Sequence, residues 1–418
     1  MVSAAAESYM RNRLDPVTSV VTASPDVSST LNQPDTKGDS EMQPNLNGNR
    51  RHVQRIRRPA KIAAVGGMAL ASLVAACSSS ATTSTRTATA TATSSSSPAA
   101  ASTAHAVKLT TIAQFPAGVF LENLAVRTDG SILVTALNRY QLYYLPPYRG
   151  TPVQPLLLHT FAGPTTGIVE TDPDVFYVTV SNLAKMESYL ERVDLRGWQP
   201  GMPAPVQQVL HVPAGTQYLD GSCLLAPGVI LEADATAGLI WRVDLSADGM
   251  SATASVWLKD PSMELDPNNH IPAQPGVNGV RYDARSHYLY YTSTAQQLFM
   301  RERVDPTTFD AVLAPELVSH GSMWDDFAID DSTGMAYATT HRQNTLERVP
   351  LDPDSGEAKQ TVAGSPLDLQ MVGPSAFAWG RNPGDYGSVG YVTTDGGNTA
   401  PPPGVGVTPA KVLRAEVS

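Results

Sequence analysis

Cysteine is scarce in this sequence. Cys77 and Cys223 are the two cysteines in 418 residues, and neither lies in a Cys-x-x-Cys motif or a Cys/His cluster. Two cysteines form at most one disulfide, and zinc sites need closely spaced thiolate or imidazole ligands. The sequence therefore excludes a disulfide-rich scaffold and gives no indication of a zinc-binding module.

Basic charge is scarce as well. After residue 76 the chain carries 20 Lys and Arg against 33 Asp and Glu, a net charge of −13. Proteins that bind nucleic acid need a basic surface to neutralise phosphates, so we expect a small-molecule substrate or ligand and no nucleic acid. The acidic excess is compatible with a cation site, although a solvated acidic surface accounts for most charge of this kind.

The first part of the chain holds few large apolar residues and is rich in Ser, Thr, Ala, Asn and Pro. Such a composition buries too little apolar surface to offset the entropy that ordering costs. We therefore predict that residues 1–49 are disordered, with Met42 the more conventional start of the protein. Residues 77–106 are predicted to be a flexible Ser/Thr/Ala-rich tether.

A basic segment and a short apolar segment precede Cys77. Six Arg and Lys residues lie between positions 50 and 61, and residues 62–76 are uncharged. A run of this length suits the core of a signal peptide better than a membrane-spanning helix. The sequence Leu-Val-Ala-Ala-Cys, ending at Cys77, resembles the bacterial lipobox, in which a peptidase cuts before a lipid-modified cysteine.

This segment predicts a signal peptide at residues 50–76 and lipidation of Cys77. The mature protein would then be a bacterial lipoprotein outside the cytoplasm, in the periplasm or on the cell surface, and would contact the membrane through its lipid anchor alone. Cys223 would remain as a buried free thiol. The alternative is a short buried helix that happens to end in cysteine.

Residues 107–418 contain one pattern six times. Each copy has an apolar alternating run, a turn rich in Asp, Gly, Pro or Asn, a β-rich run, and a third run such as YLERVDL or LIWRVDL. The first runs begin 45–58 residues apart, at positions 122, 167, 220, 278, 325 and 375. No stretch of helical periodicity interrupts them, so the pattern predicts an all-β domain.

A repeat of this length with three or four strands is typical of a β-propeller blade. We therefore predict that residues 107–418 form a six-bladed β-propeller, preceded by a disordered N-terminal region. Residues 107–115 are expected to supply the outer strand of the last blade and so to close the ring. A pair of β-sandwiches is the alternative, but it does not explain six matched copies.

The innermost strands of a propeller begin around one mouth of the central channel. The residues predicted to lie at these starts are Glu122, Gly167, Asp220, Asn278, Asp325 and Ser375. Carboxylates that converge there would repel one another and lose hydration. A divalent cation removes both penalties, and Ca²⁺ suits carboxylate and amide oxygens best. The alternative is that Asp220 and Asp325 accept backbone hydrogen bonds and that Asn278 is a turn residue.

The motifs LENLAV, GVNGV and WDDFAID resemble the senescence-marker-protein/gluconolactonase/luciferin-regenerating-enzyme superfamily, to which regucalcin belongs. The motifs GPSAFAWGR and YVTTDGG resemble a mostly fungal branch of it, some members of which resemble pericyclases. The resemblance implies that Glu122, Asn278 and Asp325 hold one divalent metal, and that Asp325 or Asp220 takes a proton in catalysis. One departure is that the Asp-Gly pair of the family is Asp325-Asp326 in this chain.

The loops that follow the second strands face the same mouth, and longer connecting loops add histidines. A histidine there could act as a general base or contact the substrate, and the alternative is a solvated surface residue. The candidates for substrate binding are Asn138, Asn182, Asp234, His341 and His320, with Thr294, Asp395 and His270 in equivalent loops.

These features favour an enzyme, a divalent-metal-dependent hydrolase of lactones or related esters. The metal would polarise the carbonyl group and stabilise the developing oxyanion. Two alternatives remain open. One is a non-catalytic ligand-binding lipoprotein, and the other is a pericyclase-like propeller that orients two reacting ends and needs no metal.

Overall fold

The computed structural model describes residues 106–182, 184–212, 218–266, 268 and 274–418. The expected signal peptide, Cys77 and the predicted tether up to residue 105 lie outside these ranges. Within them the chain forms 24 β-strands and two short 3-10 helices, Leu137–Arg139 and Pro261–Met263. None of the helices in the described ranges has the length and apolar character needed to span a membrane.

The strands form six four-stranded antiparallel sheets, which we number as blades one to six. The first strand of the chain, β1 (Val107–Ala117), belongs to the last blade. Blade one consists of β2 (Leu121–Val126), β3 (Ile132–Ala136), β4 (Gln141–Leu145) and β5 (Leu156–Thr160). Blade two consists of β6 (Thr165–Asp172), β7 (Val175–Asn182), β8 (Glu187–Asp194) and β9 (Val206–His211). Blade three consists of β10 (Leu219–Ala226), β11 (Val229–Asp234), β12 (Leu239–Leu245) and β13 (Ala252–Lys259).

The second half of the ring repeats this plan. Blade four consists of β14 (Val277–Asp283), β15 (Tyr288–Ser293), β16 (Leu298–Arg303) and β17 (Glu316–His320). Blade five consists of β18 (Trp324–Asp330), β19 (Met335–Thr340), β20 (Thr345–Pro350) and β21 (Gln360–Gly364). Blade six consists of β22 (Pro374–Trp379), β23 (Val389–Thr394), β24 (Pro409–Val417) and β1. The predicted six-bladed propeller is confirmed.

The ring is closed by the two ends of the described chain. Strand β1 pairs antiparallel with β24, from Val107 opposite Val417 to Ala117 opposite Pro409. The inner strands contact one another in the order β2, β6, β10, β14, β18 and β22, and β22 contacts β2 again. The prediction that residues 107–115 form the outer strand of the last blade is therefore confirmed.

The hydrophobic core lies between blades. Six clusters of buried apolar side chains are present in the described residues, and each lies between one pair of neighbouring blades. The cluster between blades four and five, for example, joins Phe299 to Trp324 and Phe327. Both faces of every blade thus need a neighbour to cover them, because hydrophobic burial is what stabilises the sheet.

A β-bulge interrupts each inner strand near its start. In blade one, Leu121 pairs with Ala136 and Leu124 pairs with Val134, so two residues of β2 oppose Thr135 alone. A threonine holds this opposing position in five blades, Thr135, Thr179, Thr292, Thr339 and Thr393, and Ala233 holds it in blade three.

The threonine hydroxyls join neighbouring blades. Thr135 Oγ1 donates to the carbonyl of Thr166 in blade two at 2.8 Å, and Thr292 Oγ1 donates to that of Asp325 in blade five at 2.7 Å. A bulge leaves backbone groups of the strand without a hydrogen-bond partner in the sheet. The threonine hydroxyls therefore donate hydrogen bonds to backbone carbonyls that are buried and need a partner.

Candidate functional site

The second residue of every inner strand lies at the same level of the ring, as the first residue of the bulge. These residues are Glu122, Thr166, Asp220, Asn278, Asp325 and Ser375. Five of the six agree with the sequence analysis. Blade two differs by one residue, because Thr165 pairs with Val180 and thereby places Thr166, not Gly167, in the equivalent position.

In β2 and β18 the next residue along the strand makes a contact across the channel. Asn123 Nδ2 donates a hydrogen bond of 2.7 Å to Asp326 Oδ2. Asn123 lies on blade one and Asp326 on blade five, with blade six between them in the ring. Both side chains are almost fully buried, at 4% and 2% exposure. The bond therefore spans the channel directly below the mouth.

Arg281 completes this group from blade four. Its Nη2 lies 2.8 Å from Asp326 Oδ2, and its Nη1 donates to the carbonyl of Ser222 in blade three at 3.2 Å. Asp326 is thus compensated by a guanidinium and an amide N–H, as a buried carboxylate requires. We call Asn123, Arg281 and Asp326 the channel floor.

Gly279 makes room for the channel floor. A Cβ atom at this position would lie 2.6 Å from Asp326 Oδ1, which is closer than real Cβ contacts. The second glycine of the GVNGV motif is therefore required by packing, because Asp326 occupies the space that a side chain at position 279 would need.

The sequence analysis missed the channel floor. It named Asp325-Asp326 as a departure from the Asp-Gly pair of the family but assigned no role to Asn123 or Arg281. One signal was available, because Arg281 is a basic residue within the run of residues that forms an inner strand. A charge in such a run is costly unless it has a buried partner.

The three predicted metal ligands begin their strands as expected. Glu122, Asn278 and Asp325 are exposed by 2% or less, and Asn278 Nδ2 donates to Thr294 Oγ1 at 3.1 Å. That bond uses the amide nitrogen of Asn278 and leaves the oxygen, which is the atom a hard cation would take. The chemistry of this donor set fits Ca²⁺. In the described part of the chain, no group of three or more His, Cys, Asp or Glu side chains could hold a metal ion, so the trio of two carboxylates and one amide stays a prediction.

The proposed catalytic carboxylates are buried at the same level. Asp220 and Asp325 are exposed by 2% and 1%. The backbone carbonyl of Asp325 accepts from Thr292 Oγ1. Their placement is compatible with either a chemical or a structural role, and the assignment as proton acceptors stays a prediction.

Asn138 holds an aromatic residue at the mouth. Its Oδ1 accepts from the backbone N–H of Phe120 at 2.9 Å, and its Nδ2 donates to the carbonyl of Gly118 at 2.8 Å. Phe120 is fully buried directly before β2, and its ring lies 5.6 Å from the ring of His341 between centroids. Asn138 therefore shapes the mouth through Phe120.

His341 lies in the loop after the second strand of blade five and reaches the equivalent loop of blade six. Its Nε2 lies 3.1 Å from Asp395 Oδ2, and the two side chains are exposed by 3% and 0%. Together with Phe120 of blade one, this pair joins three blades at the mouth. The sequence analysis placed both residues in mouth loops but did not pair them.

The remaining candidates take other positions. Asp234 is fully buried and accepts hydrogen bonds from the backbone N–H groups of Tyr218 and Ala237, which fixes the loop after β11. Asn182 accepts from the N–H of Lys185 at 3.2 Å. His320 is exposed at the end of the outermost strand of its blade. Their assignment to substrate binding stays a prediction.

Blade three carries a polar pair where other blades are apolar. Ser222 pairs with Glu232, and Ser222 Oγ donates to Glu232 Oε2 at 2.6 Å. The equivalent pairs are Leu124 with Val134, Ile168 with Val178, Val280 with Tyr291 and Phe327 with Ala338. Burial raises the pKa of Glu232 to about 8 despite the Ser222 hydrogen bond, which opposes the shift.

Next to this pair, the predicted buried thiol Cys223 is confirmed, and burial raises its pKa to about 12.

Two adjoining clefts lie at the far ends of the inner strands of blades four and five. Their volumes are about 350 and 360 Å³, and Asp283, Arg285 and Asp331 line both. Asp283 ends β14, whereas the mouth lies where that strand begins. Arg281 borders the first cleft and also contacts Asp326, so this one residue of the channel floor also lines the cleft.

Comparison with known proteins agrees with this fold. No family model matches the chain. A protein from Phoma sp. named "Putative hetero-Diels-Alderase" is 24% identical over 314 residues, which is 67% of this chain and 84% of that protein. The structure of a luciferin-regenerating enzyme superposes with a TM-score of 0.53 at 12% identity, covering 75% of this chain and 97% of that one. A gluconolactonase from Xanthomonas campestris superposes with a TM-score of 0.51 at 11% identity, covering 75% and 91%.

The chain is thus a six-bladed propeller like those of gluconolactonase and luciferin-regenerating enzyme, and a distant relative of the fungal protein. A calcium-binding regucalcin from Agrobacterium tumefaciens also matches, with a TM-score of 0.47 at 13% identity and coverage of 72% and 94%. The structural likenesses at these identities concern the fold alone. The resemblance inferred from the sequence motifs is confirmed at that level.

Proposed function

We propose that the protein is a pericyclase-like enzyme. It would bind an unsaturated small molecule at the mouth and hold two reacting ends in the geometry of a hetero-Diels–Alder cycloaddition. The observation that carries this proposal is the bond from Asn123 to Asp326, which gives the mouth a polar floor held from three blades. The sequence likeness to the Phoma sp. protein supports it.

The chemistry suits such a site. In a hetero-Diels–Alder reaction three π bonds become one π bond and two σ bonds, one C–C and one carbon–heteroatom bond. No atom enters or leaves, so catalysis consists of orienting the two ends and stabilising charge that develops on the heteroatom. A rigid floor and the fixed Phe120 wall supply the orientation.

The experiment combines the purified full-length protein with a conjugated carbonyl compound tethered to an alkene. We expect the dihydropyran product to form faster than without protein, with one stereoisomer in excess on chiral chromatography. Asn123→Ala should lower both effects, whereas exposed Asp354→Ala should not change them. Background rate and background stereochemistry across a panel of such substrates would overturn the proposal.

The metal-dependent lactone hydrolase remains the second candidate. It is favoured by the position of Glu122, Asn278 and Asp325, which begin three inner strands with oxygen-bearing side chains. These residues would hold Ca²⁺, and the ion would polarise a substrate carbonyl.

The test of this candidate is a lactone panel with and without chelator, paired with a thermal melt. A ligand at a hundredfold excess over its Kd stabilises the folded state by about 2.7 kcal/mol. Hydrolysis that chelator abolishes, with a melting temperature that Ca²⁺ restores and Asp325→Ala makes insensitive, would support it. Identical melts throughout would rule it out. If neither hydrolysis nor cycloaddition occurs while small molecules bind at the mouth, a non-catalytic ligand-binding protein is the better description.

We also propose that the enzyme works outside the cytoplasm on a lipid anchor at Cys77. This proposal rests on the sequence before the propeller, where a basic segment, an uncharged segment and Val-Ala-Ala-Cys follow one another. The membrane would be contacted through the anchor, and the substrate would be a small molecule.

A further inference from the structure

The two clefts at the far ends of β14 and β18 lie away from the mouth. Their volumes are about 350 and 360 Å³, within the range of roughly 300–1,000 Å³ that small-molecule sites occupy. The first cleft reaches Tyr386 and the second reaches Tyr290, while Asp283, Arg285 and Asp331 line both. Because the clefts share these walls, one ligand can occupy both without entering the mouth.

One of the three arginines that line the clefts has no carboxylate partner. Arg281 Nη2 lies 2.8 Å from Asp326, and Arg301 Nη2 lies 2.8 Å from Glu316, so these two positive charges are compensated within the protein. Arg285 forms no ion pair in the described part of the chain. It is therefore the arginine that can take a negative group from a ligand.

The aspartates that line both clefts differ in the same way. Asp283 Oδ1 accepts from the N–H of Arg285 at 2.9 Å, and its Oδ2 accepts from the hydroxyl of Ser286 at 2.6 Å. Asp331 Oδ1 accepts from the hydroxyl of Tyr386 at 2.8 Å, whereas no described residue donates to its Oδ2. Asp331 is therefore the carboxylate that can take a positive group.

Arg285 and Asp331 are held side by side without neutralising each other. Arg285 Nη1 donates to the backbone carbonyl of Asp331 at 2.9 Å, yet the guanidinium and the carboxylate form no ion pair. Arg285 is exposed and Asp331 is partly exposed, so both charges are accessible from the clefts. A ligand that carries a negative and a positive group close together would satisfy both residues.

The second cleft adds apolar surface next to this pair of charges. The side chains of Tyr288, Tyr290 and Leu351 line it, and surfaces of this kind cover the apolar part of small ligands. Its other carboxylate, Asp352, accepts from the N–H of Asp354 at 3.1 Å. The negative charge of Asp352 disfavours an acidic group on this part of the ligand, which favours an apolar one.

We propose that the two clefts bind a free α-amino acid with a large apolar side chain. Its carboxylate binds Arg285, its ammonium group binds Asp331, and its side chain lies against Tyr290 and Leu351. This site is separate from the mouth, and the inference does not depend on the proposed function.

The test compares four probes with the full-length protein by calorimetric titration, at about pH 6, where an α-amino group is charged. L-phenylalanine carries both charges, N-acetyl-L-phenylalanine lacks the positive one, and L-phenylalanine amide lacks the negative one. We expect L-phenylalanine to bind about fivefold more tightly than either, the effect of one solvent-accessible ion pair. Glycine should bind more weakly than L-phenylalanine, because it has no side chain for the second cleft.

Two variants test the two contacts separately. Arg285→Gln should lower the affinity for L-phenylalanine about fivefold and leave that for the amide unchanged, because the amide has no carboxylate to lose. Asp331→Asn should lower the affinity for L-phenylalanine similarly and leave that for the N-acetyl compound unchanged. Arg149→Gln, an exposed position between β4 and β5, is the control and should bind all four probes as the wild type does. A thermal melt shows whether each variant is folded, and either variant alone tests its own contact.

The selectivity of the losses decides the outcome. Losses confined to the probes that carry the matching charge support the site, because general damage to the fold would weaken all probes alike. Absence of binding by L-phenylalanine, equal binding of the three phenylalanine compounds, or variants that leave their affinities unchanged would overturn it. Equal binding of glycine would overturn the assignment of the side chain to the second cleft. Cycloaddition at the mouth, found or not, leaves each of these results as it is.

Discussion

Asn123 and Asp326 are 203 positions apart in the sequence, and their side chains share a hydrogen bond of 2.7 Å across the central channel. Arg281 binds the same carboxylate oxygen from a third blade. This group therefore links blades one, four and five through polar contacts.

Removal of the Asp326 carboxylate should therefore lower the free energy of unfolding considerably. Asp326→Ala leaves the Arg281 guanidinium without its carboxylate, and breaking a buried ion pair in this way costs about 3–5 kcal/mol. The double variant Asp326→Ala with Arg281→Met should lose less than the sum of the single losses, because no charge is left unpaired. Denaturant unfolding measures these values, and exposed Asp354→Ala is the control. Additive losses would show that the two residues do not act as a pair.

Glu232 should make stability depend on pH. Burial raises its folded pKa from the usual 4.5 to about 8, so the folded state binds the proton more tightly than the unfolded state does. The contribution is fully present below the unfolded pKa and is lost as pH rises through the folded pKa, and the window therefore extends from about pH 4.5 to about pH 8. Across that window the free energy of unfolding should fall by several kcal/mol.

The check is unfolding of the wild type and Glu232→Gln at pH 5 and pH 9. Glutamine cannot ionise, so the variant should be the more stable protein at pH 9 and lose this advantage at pH 5. Glu357→Gln, an exposed position, should follow the wild type at both. Parallel pH curves for the wild type and Glu232→Gln would contradict the assignment.

The closing strand β1 should be needed for the stability of the whole ring. Ile112 is 1% exposed in the cluster between blades six and one. Ile112→Ala is expected to cost about 2–5 kcal/mol, the range for truncating a buried aliphatic side chain. Leu157, on an outer strand and 54% exposed, offers the matched control, and Leu157→Ala should change stability by less than about 0.5 kcal/mol. Similar small losses for both would mean that β1 contributes little to the closed ring.

Lipidation predicts the location of the protein in the cell. Cys77→Ser removes the thiol that would receive the lipid, so the variant should leave the membrane fraction or remain unprocessed. The wild type should stay with the membrane, since a diacylglyceryl cysteine carries enough acyl chain for stable anchoring. Fractionation with an intact-mass measurement tests this, and Cys223→Ser is the control. A trimmed Ser variant that remains membrane-bound would contradict the anchor.

The fold could be predicted because repetition is visible in the sequence. Six copies of one strand pattern specify six blades. Residues 107–115 precede the first copy, and the last blade was the one that they could complete as an outer strand. The mouth could be predicted in part for the same reason, since a residue at the start of an inner strand reaches the mouth in any propeller. Glu122, Asp220, Asn278 and Asp325 all take that position. The error at Gly167 arose because a bulge shifts the register by one residue, and a periodic pattern does not show which residue is doubled.

What the sequence by itself determined is the number of blades, the closing strand and the polar residues that begin the inner strands, because these follow from local periodicity. The tertiary structure alone decided which of those residues meet. Asp326 contacts Asn123 and Arg281, and His341 lies beside Asp395. The reason is geometric, since contacts across a channel or between loops of different blades depend on the rotation of whole sheets around one axis, and a blade's own residues do not encode that rotation.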